Sequence, residues 1–401
     1  MMRKHTWIIF VLTFLLLSFS YAQKPKVKVG LEVLRDSDFK ILKGKKVGLI
    51  TNATGITSDG QSSIDLLFNA KDVKLVALFG PEHGLRADVD QYVSSSKDEK
   101  TGLPVYSLYG KDGTRPSEES LKGIDILVYD IQDVGVRFYT YITTMAVCME
   151  EAKKAGIKFV VLDRPNMNNG IDVDGCVLDE ELKGGFASYY PIPIRHGLTI
   201  GELAKLFNDH FKIGCKLEVV KMEDWKREMY YDDSGLPWIN PSPNIRNITQ
   251  VILYPGVALT EAANISVGRG TYAPFEVIGA PYIDGKKLAD ELNSRKLPGL
   301  RFEPISFVPD STKFKGEKCG GVRIHLEHRD LLQVIPAGMH IVDALYKLYP
   351  NDYKIEANFA LIGSKSVPEK IKKGVPLTEI MKEWQPKIEE FKKIREKYLL
   401  Y

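Results

Sequence analysis

VALFGPEHGLRA, residues 76–87, starts as an apolar β-strand and changes character within four residues. Residues 76–79 suit a buried strand, Gly80 and Pro81 end it, and Glu82 and His83 follow at once. Three other apolar, β-rich runs resemble it: KVGLIT at 46–51, IDILVY at 124–129 and KFVVL at 158–162. Helix-like stretches at 62–69, 141–155 and 198–211 alternate with them, the last apolar on one side through Leu203, Leu206, Phe207 and Phe211. Strands that are apolar on both faces and alternate with helices predict an α/β fold with a parallel sheet covered on both sides. A Gly- and Pro-dense passage at 255–281 reads as loops joining two domains. Beyond it the pattern is mixed: helices at 286–294, 339–348 and 377–397, and strands at 301–308 and 321–327. Mixed order without strict alternation predicts a smaller α+β domain. The expected division is 23–265 and 266–401, with a cleft between.

The 401 residues carry 55 Lys+Arg against 52 Asp+Glu, a net charge of +3. That balance is too weak to imply nucleic acid or an anionic membrane as a partner, and no motif points to a protein partner. Arg3 and Lys4 precede an apolar run at 7–19, and Ser20-Tyr21-Ala22 supplies small residues for cleavage. Residues 1–22 are therefore expected to be a signal peptide, Gln23 the mature start, and the protein periplasmic or secreted without a membrane anchor; an uncleaved N-terminal anchor is the alternative. The four cysteines, Cys148, Cys176, Cys215 and Cys319, lack metal-site spacing and read as buried free thiols.

In an open parallel sheet, ligands bind beyond the carboxyl ends of the strands. Three strand ends deliver polar clusters: Glu82-His83, Asp130-Gln132-Asp133 with Arg137 beyond, and Asp163-Arg164-Asn166. They are expected to meet in one crevice. Asp163-Arg164 reads either as an ion pair with a turn or as a ligand contact, and Asp130 and Asp133 either as helix caps or as site groups. Loops carrying Arg195-His196, Trp238 to Asn244, Glu261, Arg269 and Glu276 are rigid and polar enough to face the same crevice. No G-x-G-x-x-G follows the first strand, no G-x-S-x-G elbow is present, and no H-x-x-x-H pair occurs. Cofactor and metal chemistry therefore have no support in the motifs. Carboxylates beside Arg, His, Tyr and Trp suit acid–base work on a polar, sugar-like substrate.

Several long motifs carry a resemblance: VGLITNATG (47–55), LVALFGPEHGLR (75–86), TGLPVYSLYG (101–110), DIQDVGVRFYTYI (130–142), VLDRP (161–165), IRHGLTIGELA (194–204) and a terminal F-x-x-x-R-x-x-Y-L-L-Y (391–401). Over about residues 30–400 the chain resembles the exo-β-N-acetylmuramidase (NamZ-type) family, long catalogued as a domain of unknown function. The resemblance implies a Rossmann-like doubly wound parallel sheet with a second, smaller α+β domain and the active site between them. It also implies an exported glycoside hydrolase releasing N-acetylmuramic acid from the non-reducing ends of peptidoglycan fragments. Carried onto this chain, Glu82 becomes the expected general acid, with Asp133, Glu261 and Glu276 competing for the second catalytic role. The lactyl carboxylate of muramic acid calls for an arginine: Arg137 or Arg269, with Arg164 third because Asp163 would occupy it. His83 and His196 would bind sugar hydroxyls or tune the acid, and Asn244 would contact substrate. A non-catalytic muropeptide binder, or an esterase or amidase acting on cell-wall material, are the rival readings. One departure from the family pattern is the polar run after the PEHG turn, which is expected to shape the mouth of the site.

Overall fold

The structure is a computed structural model that describes residues 27–85, 96–110 and 114–401. The expected leader and most of the polar run after Leu85 lie outside the described residues. Seven strands form the larger sheet: β1 (Lys46–Thr51), β2 (Lys74–Gly80), β3 (Ser96–Lys97), β4 (Pro104–Ser107), β5 (Ile126–Asp130), β6 (Lys158–Leu162) and β7 (Lys216–Val220). Their order is β3-β4-β2-β1-β5-β6-β7. Every pairing is parallel except that of β3 with β4. A second, antiparallel sheet of β8 (Val277–Ala280), β9 (Leu300–Phe307) and β10 (Cys319–Leu326) has the order β8-β10-β9.

Side-chain alternation explains why both faces of the large sheet are covered. Val47, Leu49, Ile126, Val128, Val160 and Leu162 point to one side, where they meet Leu31, Leu34 and Leu67 of the helices Gly30–Asp36 and Ser63–Asn69. The intervening residues Ile50, Leu127, Tyr129, Phe159 and Val161 point to the other, against the helices Tyr141–Lys154 and Ile200–Asp209. The result is the doubly wound α/β sheet that the apolar runs predict. The same core continues beneath the smaller sheet through Ile278, Val322 and Ile324.

The 255–281 passage is more ordered than its composition suggests. The helix Ile248–Val257 carries Pro255 inside it, a 3-10 turn covers Ala258–Thr260, and Val277–Ala280 is a strand. The helix expected at 339–348 starts earlier, at Val334, and the one expected at 377–397 is two, Leu377–Lys382 and Gln385–Glu396. β7, KLEVV, is an edge strand of intermediate burial and so lacks the continuous apolar run of the central strands. All four cysteines are buried free thiols. Among the described residues, no helix is long and apolar enough to cross a membrane.

The chain builds outward from β1 toward β2 and β4, then from β5 toward β7, so loops diverge at the carboxyl ends of β1 and β5. The protein's own polar groups fill that divide. Thr51 Oγ1 donates to the Asp130 carbonyl at 2.8 Å, the Gln132 N–H to Thr54 Oγ1 at 2.9 Å, and Asn52 Nδ2 to the Tyr141 hydroxyl at 3.0 Å. The open space lies beside them, over the end of β2.

Candidate active site

A cavity of about 480 Å³ opens there, a size typical of small-ligand sites. Glu82 and His83 enter from the turn after β2, and Phe138, Tyr139 and Thr140 from the segment leading into the helix Tyr141–Lys154. Ser242, Ile245 and Tyr254 form a second wall, and Glu261, Ile265 to Val267, Arg269 and Phe275 a third. Thr312, Lys313 and Leu361 complete the lining. Both halves of the chain therefore contribute.

The Glu82 turn is locally over-determined. The Gly84 N–H donates to the Pro81 carbonyl at 2.9 Å, and buried His83 holds a left-handed φ of 70°. A non-glycine residue in that region costs about 1–2 kcal/mol, and such residues cluster at functional sites. Thr140 Oγ1 donates a hydrogen bond to Glu82 Oε2. The half-buried carboxyl is thus aimed by the residue that starts the helix Tyr141–Lys154. On the third wall, Arg269 Nε donates to Glu261 Oε1 at 2.5 Å, and its guanidinium sits 5.3 Å from the centre of the Phe275 ring. Lys313 Nζ donates to the carbonyls of Glu261 and Ala263, and burial lowers its pKa. The site therefore holds two carboxyls, two cations and an aromatic–aliphatic floor.

Of the sequence-predicted residues, Glu82, His83, Glu261 and Arg269 line this cavity; the others do not. Asp133 is buried behind it. Its Oδ2 accepts from the Gly135 N–H at 2.6 Å, its Oδ1 has no hydrogen-bond partner, and desolvation pushes its pKa up to about 7. Burial likewise raises the Tyr139 phenol, and the charges of Asp133 and Glu82 add to that rise. Glu276 lies outside the cavity, accepting from Gln250 Nε2 at 3.0 Å and facing Arg323 at 3.9 Å. Asn244 is buried between the lining residues Ser242 and Ile245 and does not line the space itself.

Arg137 requires a correction. Its guanidinium is wholly buried and donates to four backbone carbonyls: Cys176 at 2.6 Å, Ile192 at 3.2 Å, Leu361 at 2.6 Å and Ile362 at 3.0 Å. It ties distant segments together and presents nothing to the cavity. Arg164 is also structural, paired through Nε with Asp130 at 2.6 Å rather than with Asp163. The Asp163 carboxylate instead accepts from Thr199 Oγ1, the Gly201 N–H and the Tyr401 hydroxyl. Burial raises the Asp163 pKa to about 7. His196 is buried, its Nδ1 accepting from the Leu198 N–H at 3.1 Å. Burial, then the charges of Arg395 and Arg195, lower its pKa to about 3, so it stays neutral and remote from the cavity.

Of the loop Trp238 to Asn244 expected to face the crevice, Ser242 lines the cavity, whereas Tyr139, Thr140, Tyr254 and Lys313 carried no individual expectation. Tyr139 and Thr140 lie inside the conspicuous DIQDVGVRFYTYI stretch, which was the available signal. Lys313 sits in DSTKFKGEK (310–318), a run that reads as ordinary solvated surface.

Comparison with known proteins shows the family. The model for the N-terminal part of the exo-β-N-acetylmuramidase NamZ family matches residues 47–249, and that for its C-terminal part matches 252–401. The peptidoglycan β-N-acetylmuramidase NamZ of Bacillus subtilis is 46% identical over 385 residues, covering 95% of this chain and 92% of that one. Two crystal structures of DUF1343 family proteins from Bacteroides fragilis are similar. One has a TM-score of 0.86 at 39% identity, the other 0.76 at 33%, each covering 94% of this chain and 99% of its own. The chain belongs to the exo-β-N-acetylmuramidase NamZ family.

Proposed function

We propose that this protein is a glycoside hydrolase that releases N-acetylmuramic acid from the non-reducing ends of peptidoglycan fragments, with Glu82 as the general acid. The observation that carries the reading is the meeting of Glu82 with the Glu261–Arg269 pair in one small cavity. The Thr140 hydroxyl engages Glu82 Oε2, which leaves Oε1 as the oxygen to deliver a proton to the departing glycosidic oxygen. Glu261 is the second carboxylate, stabilising positive charge at the anomeric carbon or activating water. Arg269 binds the lactyl carboxylate, because it lines the cavity and a guanidinium is suited to carboxylate recognition. Lys313 adds positive charge on the same wall. Phe138, Tyr254 and Phe275 supply apolar surface for the sugar ring.

Export rests on the basic, apolar and small-residue order of residues 1–22, with the periplasm or medium as the destination. Mass spectrometry of the mature protein should find an N-terminus at Gln23.

The direct test is incubation of the purified protein with the disaccharide N-acetylmuramyl-β-1,4-N-acetylglucosamine. Release of both free sugars is the expected result. A muropeptide binder would release none, and an esterase or amidase would act on nitrophenyl esters or muropeptides while leaving the glycosidic bond intact.

A further inference from the structure

Of the large hydrophobic side chains exposed among the described residues, Tyr272 is the most exposed, at 72%. It sits midway between two residues that line the cavity, Arg269 and Phe275. The loop carrying it is held firmly. Thr271 Oγ1 donates to the Gly268 carbonyl at 2.6 Å, the Asp310 N–H to the Gly270 carbonyl at 2.8 Å, and Arg246 Nη1 to the Thr271 carbonyl at 3.2 Å. Gly270 has a φ of +73°, and a Cβ there would lie 2.6 Å from the Ser311 nitrogen, so the loop admits no side chain at that point. The segments that bond to it, at Arg246 and Asp310, also carry the lining residues Ile245 and Thr312. Tyr272 does not line the cavity itself; the loop that carries it borders the cavity and is fixed rather than trailing.

One face of its ring is already occupied. The Arg323 guanidinium from β10 lies 5.6 Å from the ring centre. Arg323 in turn faces Glu276, which is anchored by Gln250 and Asn247. Glu276, outside the cavity, thus helps to support the rim. A cation–π contact orients the ring at some cost in side-chain freedom, and little burial of Tyr272 itself accompanies it. A rim aromatic that is oriented yet uncovered presents a flat apolar face to whatever enters the mouth.

We infer that Tyr272, backed by Arg323, is the platform for the sugar on the leaving side of the scissile bond. The inference rests on the proposed muramidase reading. The muramic ring occupies the cavity beside Glu82, so the leaving residue must project past the rim. The axial C–H groups of a pyranose form an apolar face that stacks on an aromatic ring, a contact tolerant of chain length. Tyr272 would then be a specificity-determining residue that favours glycan leaving groups over small ones.

The test compares kcat/KM on the N-acetylmuramyl-N-acetylglucosamine disaccharide with that on methyl β-N-acetylmuramide, which has no leaving sugar. In Tyr272→Ala the ratio of disaccharide to methyl glycoside should fall about 3- to 10-fold, and Tyr272→Phe should restore it. Arg323→Leu should lower the ratio in the same direction by a smaller factor. An unmoved ratio in Tyr272→Ala overturns the inference, whether both activities persist or both fall together through loop damage. A wild-type protein inactive on both glycosides removes the muramidase reading itself, and the platform with it. A wild type active on both, with an unmoved ratio in the variant, removes the platform alone.

Discussion

Replacing Arg137 by Met separates a structural arginine from a substrate-binding one. Arg137 is 1% exposed and donates to four carbonyls, two of them on the 361–362 segment more than two hundred residues away in sequence. Each charge-assisted bond contributes about 1.5–3 kcal/mol. Against their sum stands the desolvation cost that the buried guanidinium no longer incurs, which is also what lowers its pKa to about 10. Methionine refills part of the volume and leaves the carbonyls without their donor. The net loss should be about 3–5 kcal/mol, a large share of the roughly 5–15 kcal/mol that holds a typical domain folded. At about 2 °C per kcal/mol, Tm should drop by roughly 6–10 °C. Urea denaturation measures the loss. Kinetics on an N-acetylmuramide and the matching N-acetylglucosaminide, at a temperature where the variant is folded, measure specificity. The ratio between the two substrates should be unchanged, because Arg137 does not reach the cavity. Wild-type stability together with a selective loss on the muramide would refute the structural assignment and restore Arg137 as the lactyl clamp.

Arg269→Ala should behave in the opposite way, cutting the preference for the muramide over the glucosaminide about 10- to 100-fold, the value of one or two charge-assisted bonds; kinetics on the same pair would show it. Thr140→Val removes the hydroxyl that engages Glu82 Oε2 and should lower kcat about tenfold with little change in KM, as measured by steady-state kinetics. Asp133→Asn gives a pH signature. Burial raises the folded-state pKa of Asp133 from 3.8 to about 7, so the folded protein binds the extra proton and wild-type stability falls as pH rises between those values. The neutral variant lacks that loss, and its stability relative to wild type should grow by about 2–3 kcal/mol from pH 5 to pH 8 in urea titrations. A difference that does not depend on pH would contradict it.

Much of the fold was legible because the central strands bury both faces. KVGLIT, IDILVY and KFVVL are apolar at odd and even positions alike, which few structures other than a covered parallel sheet require. The edge strand KLEVV lacks that signal, and Val277–Ala280 hides among glycines and prolines because its partner residues, 320–323 of β10, lie some forty residues further along the chain. The site was legible in part for a related reason. Glu82 and His83 sit where a core strand surfaces, and a rigid polar turn there has few purely structural uses. Buried arginines are harder to read, because their acceptors are chosen by tertiary geometry. Arg164 adjoins Asp163 in sequence, yet the parallel register of β5 with β6 pairs Tyr129 with Val161 and so brings Asp130 toward the Arg164 side chain. The acceptors of Arg137 are backbone carbonyls, which carry no residue signature at all. Lys313 reaches the cavity only because its loop packs on the Arg269 loop, a contact no local pattern encodes.

In the proposed mechanism Glu82 delivers the proton to the leaving oxygen. Protonation matters in proportion to how poor the leaving group is, so the decisive measurement is Glu82→Gln on two substrates. One is the natural disaccharide, whose leaving sugar alkoxide needs the proton; the other is 4-nitrophenyl β-N-acetylmuramide, whose nitrophenolate departs without it. Loss of at least about 100-fold on the disaccharide, with a much smaller loss on the nitrophenyl glycoside, is the expected result. Disaccharide hydrolysis within about tenfold of wild type, or equal losses on both substrates, would contradict it.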